Sequence, residues 1–132
     1  MTEGYVADIR KAAKENDNFR DVIATATKSQ LVLMSLRPGE EIGLEVHDGD
    51  QILYIVDGEG VAILDGQKNE IEKGSIVFVP AGVRHNVING DRKAMKLFTI
   101  YAPPQHAAGV IEPTRDKGEE ARFSELQAEM AE

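Results

Sequence analysis

Four residues of this chain, Glu45, His47, Gln51 and His85, have the side-chain types and spacing to do chemistry together, and that chemistry is metal binding. Imidazole nitrogens with carboxylate or amide oxygens are the donors that divalent transition metals accept. The 132 residues include no cysteine, which excludes disulfides, thiolate sites and cysteine nucleophiles, so any metal must rest on nitrogen and oxygen. Along an extended segment side chains two apart share a face, which puts Glu45 and His47 on one side and Val46 on the other. Asp48-Gly49-Asp50 has hairpin length and would bring Gln51 back opposite His47, about 5 Å away. His85 opens another extended stretch after the turn Pro80-Ala81-Gly82, which could aim its ring at the same point. The remaining histidine, His106, follows Pro103-Pro104-Gln105 and reads as a surface-loop residue. Tyr54 and Tyr101 could reach a pocket, but Tyr54 has the wrong parity to share a face with Gln51 and reads as a core or subunit-contact residue.

The elements that must position these residues are short and β-branched. Between residues 19 and 103 the pattern predicts strands over 21–27, 30–36, 44–47, 51–56, 60–64, 69–71, 76–79, 85–88 and 95–101, evenly spaced by turn residues. Such spacing is that of an all-β sandwich or barrel. Asp65-Gly66 and Asn89-Gly90 are hairpin signals because both tolerate positive φ, so antiparallel strands are expected. Gly39, Gly58, Gly74 and Gly82 read as turn positions with unusual backbone angles. Val6, Ile9 and Ala13 repeat at helical spacing, which predicts a short amphipathic helix near 6–15, a lid or edge cover. Pro103-Pro104 ends the last strand. Beyond it, Ser124 with Gln127 forms a capping-box pattern, and Phe123, Leu126 and Met130 share a face, predicting a second short helix. The organisation expected is an N-terminal helical segment at 1–18, a barrel at 19–103 and a tail with a short helix at 104–132.

Composition narrows the partners. With 42% hydrophobic and 29% charged residues the chain is that of a folded globular protein. Fifteen basic residues against 23 acidic ones give a net charge of −8, so the basic surface that phosphate backbones require is missing and nucleic acid is not an expected partner. Residues 1–16 are broken by Asp8, Arg10, Lys11 and Lys14, unlike a signal peptide, and nowhere do 18 apolar residues run together. A cytoplasmic protein with no membrane partner is expected. The apolar strands over 21–27 and 30–36 offer an edge that a monomer would leave open, which points to a homodimer.

From Gln30 to Tyr101 the sequence resembles the cupin superfamily of small β-barrel proteins. Its second motif is a glycine, five residues, Pro-x-Gly, two residues, a histidine, three residues and an asparagine; Gly74, Pro80, Gly82, His85 and Asn89 match it without a departure. The first motif has a glycine, five residues, His-x-His, three or four residues, a glutamate, six residues and a glycine. Here it reads Gly39, Glu45-Val46-His47, Gln51 and Gly58, with two departures that fall on metal-ligand positions. Glu45 stands where the family has its first histidine, and Gln51 where it has glutamate. Three neutral histidines and one carboxylate carry −1, and so do Glu45, His47, Gln51 and His85, so the charge is kept while the carboxylate moves. The 15 residues between Gly58 and Gly74 are typical of compact microbial cupins.

The resemblance implies an antiparallel double-stranded β-helix, the jelly-roll cupin barrel, flanked by the short terminal helices. It also implies a divalent transition metal (manganese, iron, nickel, cobalt or zinc) on Glu45, His47, Gln51 and His85, with Glu45 as the catalytic group. The reading placed first is Lewis-acid isomerase or lyase chemistry on a small oxygenated metabolite, sugar or uronate-like, because compact cupins with a glutamine ligand include uronate-converting enzymes. Two histidines and one carboxylate also match the non-haem iron triad, which makes a dioxygenase the first alternative. A non-catalytic metabolite-binding or sensing barrel is the second. A cupin fold hosts many chemistries and names none of them.

Overall fold

The computed structural model describes residues 3–116. Helix α1 (Ile9–Glu15) is followed by β1 (Arg20–Thr25), β2 (Gln30–Leu36), β3 (Asp50–Asp57), β4 (Glu59–Leu64), β5 (Gln67–Glu72), β6 (Ile76–Val79), β7 (His85–Asn89), β8 (Met95–Ala102) and β9 (Ile111–Glu112). Six strands form one sheet in the order β6-β3-β8-β2-β1-β9, and three form a second in the order β5-β4-β7. Every pairing between strands is antiparallel, as the turn chemistry predicts. At the β4–β5 hairpin Asp65 and Gly66 hold φ of 48° and 83°, the two positive values of a type I′ turn. Gly39, Gly58, Gly74 and Gly82 all lie at positive φ.

Period-2 alternation sends Leu53 and Ile55 of β3, Val32, Met34 and Leu36 of β2, and Met95 and Leu97 of β8 inward. There they meet Ala62, Ile71 and Val87 of the smaller sheet in one buried cluster. The opposite face of the larger sheet has its own small cluster, in which Ala13 of α1 packs with Leu33 and Val56 beside Ile9, Tyr54 and Phe98. The helix therefore covers a sheet face. It begins at Ile9 because Asp8 is its cap and accepts the Lys11 N–H at 3.2 Å.

The architecture is consistent with a double-stranded β-helix, but four expectations need correction. The two sheets are stacked and are not closed into a barrel. Asn89-Gly90 is not a hairpin, since β7 and β8 lie in different sheets. Its residues serve the crossover instead: the Asn89 side-chain amide donates to the carbonyls of Leu36, Arg37 and Lys93, and the Gly90 N–H donates to Glu59 O. Residues 44–47 are not a strand; Glu41 and Glu45 make isolated bridges to Ile88 and His85 of β7. The apolar edge expected at 21–36 is largely filled, because β2 lies between β8 and β1, and Arg20 and Asp21 of β1 pair with β9. The helix expected around 124–130 lies outside the described residues.

Candidate metal centre

Segment 40–45 runs beside β7 and makes its ladder bonds: Ile42 N–H to Val87 O, and a reciprocal pair between Glu45 and His85, all at 2.9 Å. Between the bridges Glu41↔Ile88 and Glu45↔His85, three residues on one side face two on the other, so one residue is extra. The irregularity sits at Gly43, whose φ of 110° suits glycine and whose N–H donates to Asn86 Oδ1 at 2.8 Å. Its consequence is chemical. A one-residue slip exchanges the two faces of a strand, so without the extra residue Leu44 would oppose His85 and Glu45 would point outward. With it, Leu44 and Val46 are exposed and Glu45 is buried.

Glu45, His47 and His85 each present a ligand atom, and these atoms lie within 4.8 Å of one another. The two imidazole centroids are 5.1 Å apart. His85 Nδ1 lies 3.0 Å from the Val83 carbonyl, a contact that fixes the proton on Nδ1 and leaves Nε2 as a lone-pair donor. That Nε2 is buried and has no hydrogen-bond partner among the described residues. His47 Nε2 is 2.8 Å from Glu45 Oε2, an ion-pair contact if the ring is protonated, but it has no hydrogen bond among the described residues. Gln51 arrives from the facing sheet. Its Nε2 donates to Thr99 Oγ1 at 3.0 Å, and that hydroxyl donates onward to Ile52 O at 2.9 Å. The amide is thereby oriented with Oε1 buried and without a hydrogen bond among the described residues.

Burying polar atoms without hydrogen bonds costs free energy, and here such atoms are two imidazole nitrogens and an amide oxygen beside a carboxylate. All can donate a lone pair to a cation. The residues present therefore fit a divalent metal held by nitrogen and oxygen.

The route by which Gln51 reaches the site differs from the hairpin expected of Asp48-Gly49-Asp50. Gln51 is not paired with His47: its cross-strand partners are Val79 of β6 and Tyr101 of β8. Gly49 turns the chain where there is no room for a side chain, since a Cβ there would stand 2.6 Å from Pro103 Cδ and 2.7 Å from Ala102 O. Tyr54 packs flat on Phe98 on the far face, in keeping with its parity. Two further rings extend from His47. Tyr101 is buried and meets the His47 ring edge-on at 5.8 Å. His106 meets Tyr101 in the same manner at 5.1 Å, so it is not a free surface-loop histidine. Parity with Thr99 marks Tyr101 as inward; for His106 the sequence carries no comparable sign.

Comparison with known proteins identifies the family of the fold. The cupin domain family matches residues 32–101. This chain belongs to the cupin family. The uncharacterised protein YrkC of Bacillus subtilis is 40% identical to this cupin in an alignment 118 positions long that covers 84% of the chain and 63% of YrkC. The chain thus spans less than two thirds of that relative's length. An oxalate-binding protein of Thermotoga maritima is 39% identical over 68 residues, 51% of this cupin and 56% of that protein. The crystal structure of BH2720 from Bacillus halodurans superposes with a TM-score of 0.87 at 34% identity, covering 89% of this chain and 94% of the other.

Proposed function

We propose that this cupin binds one divalent transition metal through Glu45, His47, Gln51 and His85 and acts there on a small oxygenated metabolite, as a Lewis-acid isomerase or lyase. The observation that carries the reading is the set of buried lone-pair donors without hydrogen bonds that gather around Glu45. When bound, the metal would supply Lewis acidity, polarising a carbonyl or hydroxyl oxygen of the ligand. The chain's own groups do the rest. Glu45 is the one carboxylate of the four; it can hold the metal with one oxygen and accept a substrate proton on the other. Val83 keeps the His85 tautomer, and Thr99 keeps the Gln51 amide turned, so neither donor must reorganise on binding. One negative charge against a divalent cation leaves the centre positive, which favours an anionic oxygenated ligand such as a sugar acid.

A second reading, non-catalytic binding of such a ligand, is favoured by the likeness to an oxalate-binding protein over part of the chain. The experiment is reconstitution with manganese, iron(II), cobalt, nickel and zinc, elemental analysis, and a substrate screen over keto-sugars, uronates and catechol-like compounds with and without oxygen. Turnover without oxygen is expected. Turnover only with oxygen would replace isomerase or lyase chemistry by oxygenation, heat protection by a metabolite without turnover would favour binding, and failure to take up any of the metals would overturn the site.

We also propose a homodimer, because β6 is the outer strand of its sheet and leaves Ile76 and Phe78 exposed. Light scattering at micromolar concentration should give twice the 14.5 kDa of one chain; a mass of one chain would overturn it.

A further inference from the structure

Strand β6 is the outer strand of the larger sheet, so its backbone is paired on one side only. It meets β3 in the register Gln51↔Val79, Ile52↔Phe78, Leu53↔Val77 and Tyr54↔Ile76, and one position further along the Ile55 N–H donates to Ser75 O at 2.9 Å. Bonded and non-bonded positions alternate in an antiparallel pair. Residues 75, 77 and 79 therefore direct their backbone groups to β3, and the N–H and C=O of Ile76 and Phe78 lie along the open edge. A second copy of β6, antiparallel to the first, with Ile76 of each copy opposite Phe78 of the other, would use all four of these groups on both strands. Exchanging the copies leaves that pattern unchanged, with Val77 on the two-fold axis, which is what an isologous contact requires. The side chains of Ile76 and Phe78, 65% and 59% exposed, would then cover one another as pairs of a β-branched and an aromatic residue. No charge within Ile76–Val79 discourages the pairing.

The same strand runs directly into the metal centre. Val79, its last residue, is the cross-strand partner of Gln51. In the turn that follows, the Ala81 N–H donates to Asp50 Oδ1 at 2.9 Å, the Gly82 N–H donates to His47 O at 2.9 Å, and the Val83 carbonyl lies 3.0 Å from His85 Nδ1. The Val83 N–H closes the turn on Pro80 O at 3.2 Å. Residues 79–83 thus touch three of the four proposed ligands, and the fourth, Glu45, exchanges backbone bonds with His85. A cation that fixes both imidazoles and the amide also fixes this turn and the end of β6, one residue from Phe78. A short strand pairing depends on that order, because ordering backbone costs free energy that each partner must otherwise supply on association.

We infer that β6 pairs with β6 of a second copy and that this pairing and metal binding strengthen each other through the turn at 80–83. The inference rests on the metal-centre and homodimer readings, and its test keeps the three apart. Such coupling is reciprocal. In sedimentation equilibrium zinc should tighten the dimer about twenty-five-fold, which is a factor of about five, at the low end of couplings between sites, taken once for each copy. Phe78→Lys alters only the exposed edge. It should be monomeric and hold zinc about five-fold more weakly than the wild-type dimer in competition with a chelating dye. Hydrogen exchange should find the amides of residues 76 and 78 protected in the zinc-loaded wild type and open in the variant. A wild type that takes up zinc but dimerises equally well without it would overturn the coupling, as would a monomeric variant that holds zinc as tightly as the dimer. Free exchange of both amides in the wild-type dimer, or a variant that dimerises as the wild type does, would overturn the edge pairing. A wild type that stays monomeric would overturn the homodimer and the inference with it; one that binds no zinc would overturn the metal centre and hence the coupling.

Discussion

Strand β7 carries a buried histidine at its first residue and a buried asparagine at its last, and the two ends of the sandwich differ in what those side chains meet. His85 spends Nδ1 on Val83 and leaves Nε2 facing Glu45 and His47. Asn89 directs its amide nitrogen to three carbonyls that bind the crossover between the sheets. Around Asn89 the outer rim is solvated and balanced, with Lys93 on Asp57 at 2.9 Å and Arg92 on Glu59 at 3.9 Å, lining a cleft of about 380 Å³. The same strands thus tie one end together through the Asn89 amide nitrogen, although Asn89 Oδ1 has no hydrogen bond among the described residues, and at the other end gather two imidazole nitrogens and an amide oxygen beside a carboxylate. Cavity size does not mark function here; the convergence of several buried lone-pair donors on one carboxylate does.

The comparison breaks most sharply by exchanging the losses. His47→Ala and His85→Ala should each reduce bound metal from about one per chain to about a tenth or less, since each removes one of two nitrogen donors. Asn89→Ala should keep the metal and instead lose about 2–4 kcal/mol of stability, because three carbonyls lose their donor. Elemental analysis and thermal melts on the same preparations check both. Stoichiometric metal in the histidine variants, or loss of metal in the asparagine variant, would erase the distinction between the ends.

A finer probe leaves the ligands in place and disturbs what aims them. Thr99 is fully buried and holds Gln51 by its hydroxyl. Thr99→Val keeps the shape and removes that hydroxyl, so metal affinity should fall roughly ten- to a hundred-fold, as it does when an outer-shell partner is lost. Competition with a chelating dye measures it. An unchanged affinity would mean that Gln51 is not among the ligands.

How much of this could be read from the residues differs between the two ends. Gly74, Pro80, Gly82, His85 and Asn89 spell their turn and strand in one local run, so β6, β7 and the entry of His85 are legible. Glu45 and His47 were singled out by an alternation that needs a regular strand, yet the chain there is held by two bridges around Gly43. A bulge of one residue leaves no mark in hydrophobic pattern, because the pattern on either side of it is intact. Gln51 was brought to the site by a hairpin that does not form; its parity within β3 is what turns it inward. The bond from Gln30 Nε2 to His106 O joins residues 76 apart in sequence, and no local signal carries such a contact. Asn89-Gly90 misleads for the opposite reason: its turn chemistry is sound, but its side chain is taken up by carbonyls of other segments.

The smallest effect is expected at the solvated end, where the charge pair can be removed without touching the fold. Lys93 donates to Asp57 Oδ1 at 2.9 Å and the Gly58 N–H donates to the same oxygen at 3.0 Å. The Lys93 hydrogen bond, with a smaller share from the Gly58 N–H, holds the Asp57 carboxyl below the ordinary aspartate value of 3.8. A carboxylate whose pKa is lower in the folded state than in the unfolded one contributes stability above the unfolded value, and that contribution is lost as pH falls through the folded one. Asp57→Asn keeps an acceptor for Gly58 and removes only the charge. Because the pair is open to solvent, the variant should lose less than about 1 kcal/mol at pH 7, and less again in 1 M salt. The difference from wild type should shrink once the pH drops below about 3.8. Melting temperatures of both proteins from pH 2 to 8 decide it, and a gap that widens toward acid would reverse the sign assigned to Asp57.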